Sequence, residues 1–512
     1  MYYRETMLAF VPYLAVFVAC YGLVYYRRKR QRLPLPPGPP QLPLVGNLYQ
    51  IPEMNPWRTY REWHQKYGPI ITVKSGLTNT IILGSHKAAR DLLDKRNRNY
   101  GSRPHFILIG DFIYGGNQTS LLPTGQRWRI HRRILSAFGN VRTSQRYRIL
   151  YDAESKRLLR EILHGGDFFE PFHHYFVRIL FALTYGKRVT GSHDPEARDV
   201  IEIVDVVLKE ASRSSVPEAF PILNSLPGAL APWKRRAQLL FEQHSRLFDN
   251  HMNAALANKP WNFCKQALRL KASSEVDRVE LNFILGSITE ATHSGSMVLG
   301  VFIMANILHP DAVRWVQEEI DRVIGPDRLP SFDDMAKLPY LNAYLLEVMR
   351  WRPITPGGMP HASFQDDEYM GYHIPKGTTV VANHWSMDFD ESVFTDPYEF
   401  RPQRWIEDPN LPSIAFGFGT RICPGRHIAE SSIFIVAARL LWSFNFDYAY
   451  EDGKRQEIDS WNMTQGLDSG PMPFKASFKI RSPKHQEVMD RECGVSDLDI
   501  DAILDKIGAD FL

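Results

Sequence analysis

Residues 416–430 read FGFGTRICPGRHIAE and set one cysteine between a glycine-rich approach and a Pro-Gly exit. A structural cysteine needs no such setting, whereas a sulfur that must meet something bulky does. Gly417, Gly419 and Gly425 allow turns and close approaches that a side chain would block. Pro424 carries no backbone N–H. Amide N–H groups around Cys423 can point at its sulfur and stabilise a thiolate, and Arg421 supplies positive charge two residues earlier. A thiolate is a metal ligand and a thiol is not. The apolar stretch 428–444 predicts a helix that closes the pocket behind the loop.

The four cysteines, Cys20, Cys264, Cys423 and Cys493, are far apart and show no CxxC spacing. A disulfide framework and a zinc site are both disfavoured, and a reducing compartment fits better. Hydrophobic residues make up 44% and aromatics 12% of the 512 residues, a globular composition. A net charge of +4 gives no support to nucleic-acid binding.

Residues 7–26 (MLAFVPYLAVFVACYGLVYY) carry no charge over a span long enough to cross a bilayer, and 27–30 are Arg-Arg-Lys-Arg. Basic residues after the apolar run put that end in the cytosol, and the order is the reverse of a cleaved signal peptide. The expectation is a retained signal-anchor (1–30), a single pass through the endoplasmic reticulum membrane, and everything downstream in the cytosol. The sequons at Asn117 and Asn462 should then stay unmodified. A proline-rich hinge follows at 31–45, stiff and extended, then a body at 46–485 and an acidic tail at 486–512.

Within the body, 67–84 predicts a β-hairpin and 85–98 a helix. Residues 99–124 lack a clear period and predict a long loop, of the kind that is usually functional. Most of 125–350 has helical periodicity broken by Pro and Gly. The apolar connector 220–233 is either an ordinary buried loop or a second membrane contact. Short strands and turns dominate 351–400, and Ser496 is a candidate N-cap near the end. Helices outnumber strands, so the fold class is mainly α with a minor β part.

The cysteine segment matches F-x-x-G-x-R-x-C-x-G through Phe416, Gly419, Arg421, Cys423 and Gly425. It resembles the haem-ligand signature of the cytochrome P450 family, the haem-thiolate monooxygenases. Further motifs agree in order and spacing from the anchor to about residue 485, NYGSRP at 99–104 among them. The chain looks most like fungal microsomal members of natural-product pathways, of the O-methylsterigmatocystin oxidoreductase type. The resemblance implies the P450 fold and haem b (iron protoporphyrin IX) with Cys423 on its iron. It also implies electrons from NADPH through a separate NADPH–cytochrome P450 reductase, with cytochrome b5 as a further partner. It implies a buried Glu347–Arg350–Arg404 network from E-x-x-R and P-x-R-W, which holds the cysteine loop. Trp128 and Arg132 (W-x-x-x-R), His361 and Arg421 are implied contacts of the haem propionates. Arg127, Arg129 and Arg133 form either a solvated face or part of a basic patch for the reductase.

One motif departs. The family's central helix carries [AG]-G-x-[DE]-T, whose acid and hydroxyl organise proton delivery, and here 289–297 reads TEATHSGSM. Counting back from His309-Pro310 sets Ser294 on the Thr and His293 on the acid. Counting forward from GSITEA sets Gly295 on the Thr and Ser294 on the acid. The first register is preferred, with Ser294 and His293 as the catalytic pair; whether His293 relays protons or points into protein stays open. Substrate contacts are expected from Phe106, Ile107, Leu108, Phe112, Ile113 and Tyr114 in the long loop, from 353–359 with Thr355 and Met359, and from 463–467 with Met463. The expected reaction is hydroxylation, epoxidation or multi-step oxidation of a lipophilic natural product. Oxidative coupling, desaturation or rearrangement without net oxygen insertion is the alternative that the altered helix keeps open.

Overall fold

The structure is a computed structural model and describes residues 33–164, 167–191, 193–213, 215–494 and 499–511. The expected anchor at 7–26 and the candidate cap Ser496 lie outside those residues. The long helices are α1 (Pro56–Tyr67), α2 (Gln126–Gly139), α3 (Arg148–His164), α4 (Phe169–Tyr185), α5 (Pro195–Arg213), α6 (Pro232–Ala257), α7 (Arg278–Thr289), α8 (Thr292–Leu308), α9 (Pro310–Val323), α10 (Pro339–Trp351), α11 (Arg426–Ser443), α12 (Pro483–Cys493) and α13 (Ile500–Ala509).

Helix α8 is apolar on every side, with Val298 through Ile307 all buried. A helix without a polar face belongs at the centre of a large protein. It packs against α4, α10 and α11 there, and α3 packs between α4 and α11. The backbone breaks between α7 and α8 at Glu290 and Ala291. The stretch Arg278–Leu308 is long and apolar enough to cross a membrane, yet much of it is buried inside the protein.

The hairpin expected at 67–84 is strands β1 (Ile70–Ser75) and β2 (Thr78–Leu83), paired antiparallel. Two short strands, β3 (His361–Ala362) and β4 (Thr379–Ala382), complete a sheet of order β1-β2-β4-β3, in which β2 and β4 run parallel. A separate antiparallel pair joins β5 (Phe444–Tyr448) to β6 (Ala476–Ile480).

Three expectations need correction, and two, on the connector 220–233 and the proline-rich stretch, gain detail. The helix expected at 85–98 is three short helical pieces, His86–Ala89, Arg90–Lys95 and Asn97–Tyr100. The long loop contains a wide helical turn, Ile107–Ile113, whose first N–H groups at Ile107 and Leu108 donate to the distant Glu218 carboxylate at 2.9 and 3.0 Å. That cap comes from 110 residues away, so no local pattern announces it. The connector 220–233 is not buried: Ile222 and Leu230 are 74% and 66% exposed. Lys234 Nζ donates to the carbonyls of Asn224 and Leu226 and folds the connector back on itself. The proline-rich stretch is partly pinned to β1, through Thr72 N–H to Pro37 O at 2.8 Å, and Asn47 just after it accepts from Lys74 N–H at 2.9 Å. The acidic C-terminus is part of the body: Val488, Met489, Leu504 and Ile507 are buried in the main core, and Asp499 caps α13 by accepting from Ala502 N–H.

Candidate functional site

The cysteine loop closes on itself, with Cys423 N–H donating to Phe416 O at 2.9 Å. Gly419 has φ +52°, and a Cβ there would lie 2.5 Å from Leu93 O, so both the turn and the close approach require glycine. Gly425 does not turn the chain in this way; it caps α11 at φ −90°. The second tight contact comes from outside the motif: a Cβ on Gly139 would meet Pro424 O at 2.1 Å, so α2 sits directly on the loop. Cys423 is a free cysteine. Its thiol surface is open yet lies deep in the protein, so it faces an interior space rather than bulk water. Burial pushes the thiol pKa up, while the Gly425 N–H and the Arg132 charge pull it down.

Beside the loop, through Phe416, lies an interior cavity, the slab, bounded by α8, α10 and α11. Ser294, Gly295, Val298 and Val301 of α8 form one wall; Ala415 and Phe416 of the loop, with Ala429 and Ile433 of α11, form a second; Val348 and Met349 of α10, the following Arg352–Ile354 and His384 close the rest. Its lining is mainly apolar, which suits an apolar group.

At the loop's edge three guanidiniums converge. Arg421 stacks over the Trp128 ring at 4.2 Å, and its Nε and Nη2 donate to the carbonyls of Gly101 and Leu122 at 2.6 and 2.8 Å. Its Nη1 is buried with no hydrogen-bond partner. Arg132 Nη2 donates to Ile422 O at 2.7 Å. Arg103 donates to Ser120 O and Pro360 O at 2.9 and 2.6 Å. Burial first, then the charges of Arg103 and Arg132, lower the Arg421 pKa to about 9. Among the described residues none of the three pairs with a carboxylate. Buried like charges without a counter-ion are costly. A bound group carrying carboxylates would relieve both the repulsion and the orphaned Nη1, so the residues fit haem and its propionates.

His361, on β3, is buried beside this cluster, and its Nδ1 lies 2.8 Å from Tyr100 O. A carbonyl only accepts, so Nδ1 is the donor. Burial first, then Arg103, lowers its pKa to about 3 and keeps the ring neutral. Nε2 is then an acceptor, and His361 can donate to a carboxylate only by taking up a second proton there. Arg103 was missed as a site residue, although its segment NYGSRP matches the family pattern. Arg127 and Arg133 are not a free basic face: they pair with Glu280 and Glu275.

Glu347, Arg350 and Arg404 meet in the interior, each with a side chain at most 4% exposed. Glu347 accepts from Arg350, Arg404, the Trp405 indole and Arg401 N–H. The arginines spend their remaining donors on carbonyls of residues 388–399. The network therefore fixes the segment that leads into the cysteine loop.

On the α8 side His293 does not line the slab. Its ring stacks on His173 of α4 at 4.7 Å and 26°, and its Nε2 is buried without a partner. Ser294 does line it, and Ser294 Oγ donates to Asp468 Oδ2 at 2.9 Å. Gly295 faces the Phe176 ring, where a Cβ would collide at 2.3 Å.

The expected substrate contacts are divided: Pro353 and Ile354 of the 353–359 segment line the slab, and the others are dispersed. Tyr114 and Phe112 turn toward α6 and α7 and pack with Val207, Leu240 and Phe283. The Tyr114 hydroxyl donates to Glu290, which also accepts from Gln118 at 2.7 Å. Burial pushes the Glu290 carboxyl up to about 7. Phe106 and Ile107 are half-buried at the start of the wide turn, and Met359 is half-buried ahead of β3. Met463 is buried opposite Pro471, and Thr355 Oγ1 donates to Asp468 Oδ1 at 3.1 Å. None of these seven borders the slab itself, because tertiary contacts claim them for neighbouring layers.

A family model described as Cytochrome P450 matches residues 36–476. Cytochrome P450 monooxygenase aneD of Aspergillus aculeatus is 44% identical over 481 residues, covering 93% of this chain and 94% of its own length. Cytochrome P450 monooxygenase peniB of Penicillium patulum is 41% identical, covering 90% of this chain and 88% of its own. Fumitremorgin C synthase of Neosartorya fischeri is 37% identical, covering 92% of each.

Proposed function

The chain belongs to the cytochrome P450 family, and from that premise we propose a haem-thiolate monooxygenase that oxidises a lipophilic natural product in fungal secondary metabolism. Its relatives are fungal cytochrome P450 monooxygenases. The observation that carries the reading is Cys423 on its closed loop, whose Phe416 lines the slab, beside three guanidiniums that have no carboxylate partner among the described residues.

Cys423 is the residue that would ligate the iron of haem b, with the Gly425 N–H and Arg132 favouring its thiolate. Arg103, Arg132 and Arg421 would hold the propionates, Trp128 bracing Arg421 from beneath. Phe416 would line the face on the cysteine side. When bound, haem supplies the iron that activates dioxygen, and thiolate ligation favours cleavage of the O–O bond. The apolar residues Val298, Val301 and Ile354 exclude water from the slab and favour an apolar substrate. Ser294 borders the slab and can hold a proton there at Oγ.

Electrons would come from NADPH through NADPH–cytochrome P450 reductase, with cytochrome b5 as a second donor. The apolar run at 7–26 supports a single-pass anchor in the endoplasmic reticulum membrane. Exposed Ile222, Leu230 and Leu239 support a second lipid contact. A second reading, coupling, desaturation or rearrangement without oxygen gain, rests on the missing acid at position 293.

Two measurements test this. The reduced protein with carbon monoxide should show the thiolate-haem absorption, and Cys423→Ala should abolish it; persistence in the variant sinks the ligand assignment. The mass change from substrate to product, in a producing strain against one lacking the gene, should be a gain of oxygen. Loss of hydrogen or no change favours the second reading.

A further inference from the structure

The helix α8 lacks the acid that its family sets beside the hydroxyl, yet the hydroxyl is not without one. Ser294 Oγ donates to Asp468 Oδ2 at 2.9 Å across 174 residues of chain. Asp468 is held there from several sides. Thr355 Oγ1 donates to its other oxygen at 3.1 Å. The next residue, Ser469, ties the loop to the chain after α10 through its N–H to Ile354 O at 2.7 Å. Thr464 and Gly470 close the loop beneath it, Thr464 N–H to Gly470 O at 2.7 Å and Gly470 N–H to Thr464 Oγ1 at 2.9 Å. Gly470 in turn has no room for a Cβ, which would meet Met297 of α8 at 2.7 Å.

We infer that Asp468 is the proton source for Ser294, an acid–hydroxyl pair assembled from two distant segments in place of two neighbours on one helix. This rests on the monooxygenase reading. Insertion of one oxygen atom obeys R–H + O2 + 2 e− + 2 H+ → R–OH + H2O. The electrons come from the reductase, and the protons must come from solvent through an otherwise apolar wall. Gln465, Gly466 and Leu467 at the loop tip are exposed, Asp468 is half-buried behind them, and Ser294 borders the slab. Once Asp468 is protonated at Oδ2 this hydrogen bond reverses, and Ser294 Oγ passes its own proton into the slab as it takes one from Asp468 Oδ2. Asp468 is reloaded from the solvent side of the loop.

Asp468 does not border the slab, so it acts through Ser294 and is a positioning residue rather than a substrate anchor. Burial raises its carboxyl pKa, while the Ser294 and Thr355 hydroxyls and the nearby His293 lower it; the net shift is upward. The titratable groups that interact with it through charge are His293 on α8 and Cys423 of the loop. A carboxyl whose pKa is raised holds its proton to higher pH and so suits a group that must give one.

The test uses the haem-loaded full chain with Asp468→Asn, Asp468→Glu and Ser294→Ala. The reduced carbon monoxide spectrum first establishes that each variant keeps its pocket. In infrared difference spectra taken between acidic and neutral pH without turnover, the wild type should show a protonated-carboxyl band that titrates above the ordinary aspartate range. That band should be absent in Asp468→Asn and shifted in Ser294→Ala. In turnover, Asp468→Asn should lower product formation at least about a hundredfold while NADPH consumption continues. It should also remove the limb of the pH profile at higher pH, and Asp468→Glu should restore part of both. Unchanged coupling in Asp468→Asn, absence of the titrating band from the wild type, or a raised KM with kcat intact overturns the inference. Wild-type turnover without oxygen gain refutes the monooxygenase reading instead, whatever Asp468 does.

Discussion

Replacing Glu347 with Gln should destabilise the protein by about 3–5 kcal/mol, the usual cost of removing one partner from a buried charge network. The side chain is fully buried and accepts five hydrogen bonds. Oε1 takes those from Arg350 Nη2, Arg404 Nε and Arg401 N–H; Oε2 takes those from Arg350 Nε and the Trp405 indole. The glutamine amide therefore faces donors in either orientation. The less costly choice sets its nitrogen at the Oε2 position, where two bonds are lost. Arg350 and Arg404 keep their carbonyl partners but lose the only carboxylate that pairs with them among the described residues. At about 2.1 cal/mol/K per residue, the 512-residue chain has an unfolding entropy of roughly 1.1 kcal/mol/K. The expected fall in Tm is then about 3–5 °C. Scanning fluorimetry of the haem-loaded protein at one fixed scan rate measures it. Glu457→Gln is the control, since its pair with Arg455 is exposed on both sides and should change stability by less than about 0.5 kcal/mol. A fall in Tm below about 1 °C with full haem content would refute the reasoning, because it would mean that the arginines need no counter-charge.

Gly139→Ala should destabilise despite raising helix propensity, since the new methyl would lie 2.1 Å from Pro424 O; the clash should cost more than about 1 kcal/mol and lower haem content at purification. Arg103→Gln should weaken haem retention by about 1.5–3 kcal/mol, roughly ten- to a hundredfold, read as the rate of haem transfer to excess apomyoglobin. Glu290 has its pKa raised from 4.5 to about 7 by burial, so the folded state binds its proton more tightly than the unfolded state. Its contribution is full below pH 4.5 and is lost as pH rises to about 7, by a total of about 3 kcal/mol. Glu290→Gln should therefore gain stability relative to wild type across that window and no further above it, and a difference between the two that is flat with pH would contradict the burial of the acid.

The cysteine loop was legible because its constraints are local: Gly419 sits at positive φ, and Cys423 closes onto Phe416 seven residues away. The E-x-x-R pair was legible for the same reason, three residues apart on α10. The register of α8 was not. Its two candidate alignments differ by one residue, a rotation of about 100° on a helix, and only packing chooses between the faces. In the fold His293 turns to His173, and Ser294 turns to the slab. Tyr114 was misread for the same cause: an aromatic in an apolar loop satisfies any cavity wall, and it was the Glu290 carboxylate that claimed its hydroxyl.

The sequence by itself determined the chemistry that the protein can host: a lone thiolate candidate in a glycine-cut loop, cations close to it, and an apolar central helix. These follow from residue types at short spacing, where backbone geometry leaves little choice. The tertiary structure alone decided which distant groups complete the site. Arg103 joins Arg132 and Arg421, Glu218 caps the turn at Ile107, and Asp468 reaches Ser294 across 174 residues. Hydrogen bonds and charges act over a few ångströms of space, and nothing in the order of the chain records which segments folding will bring that close.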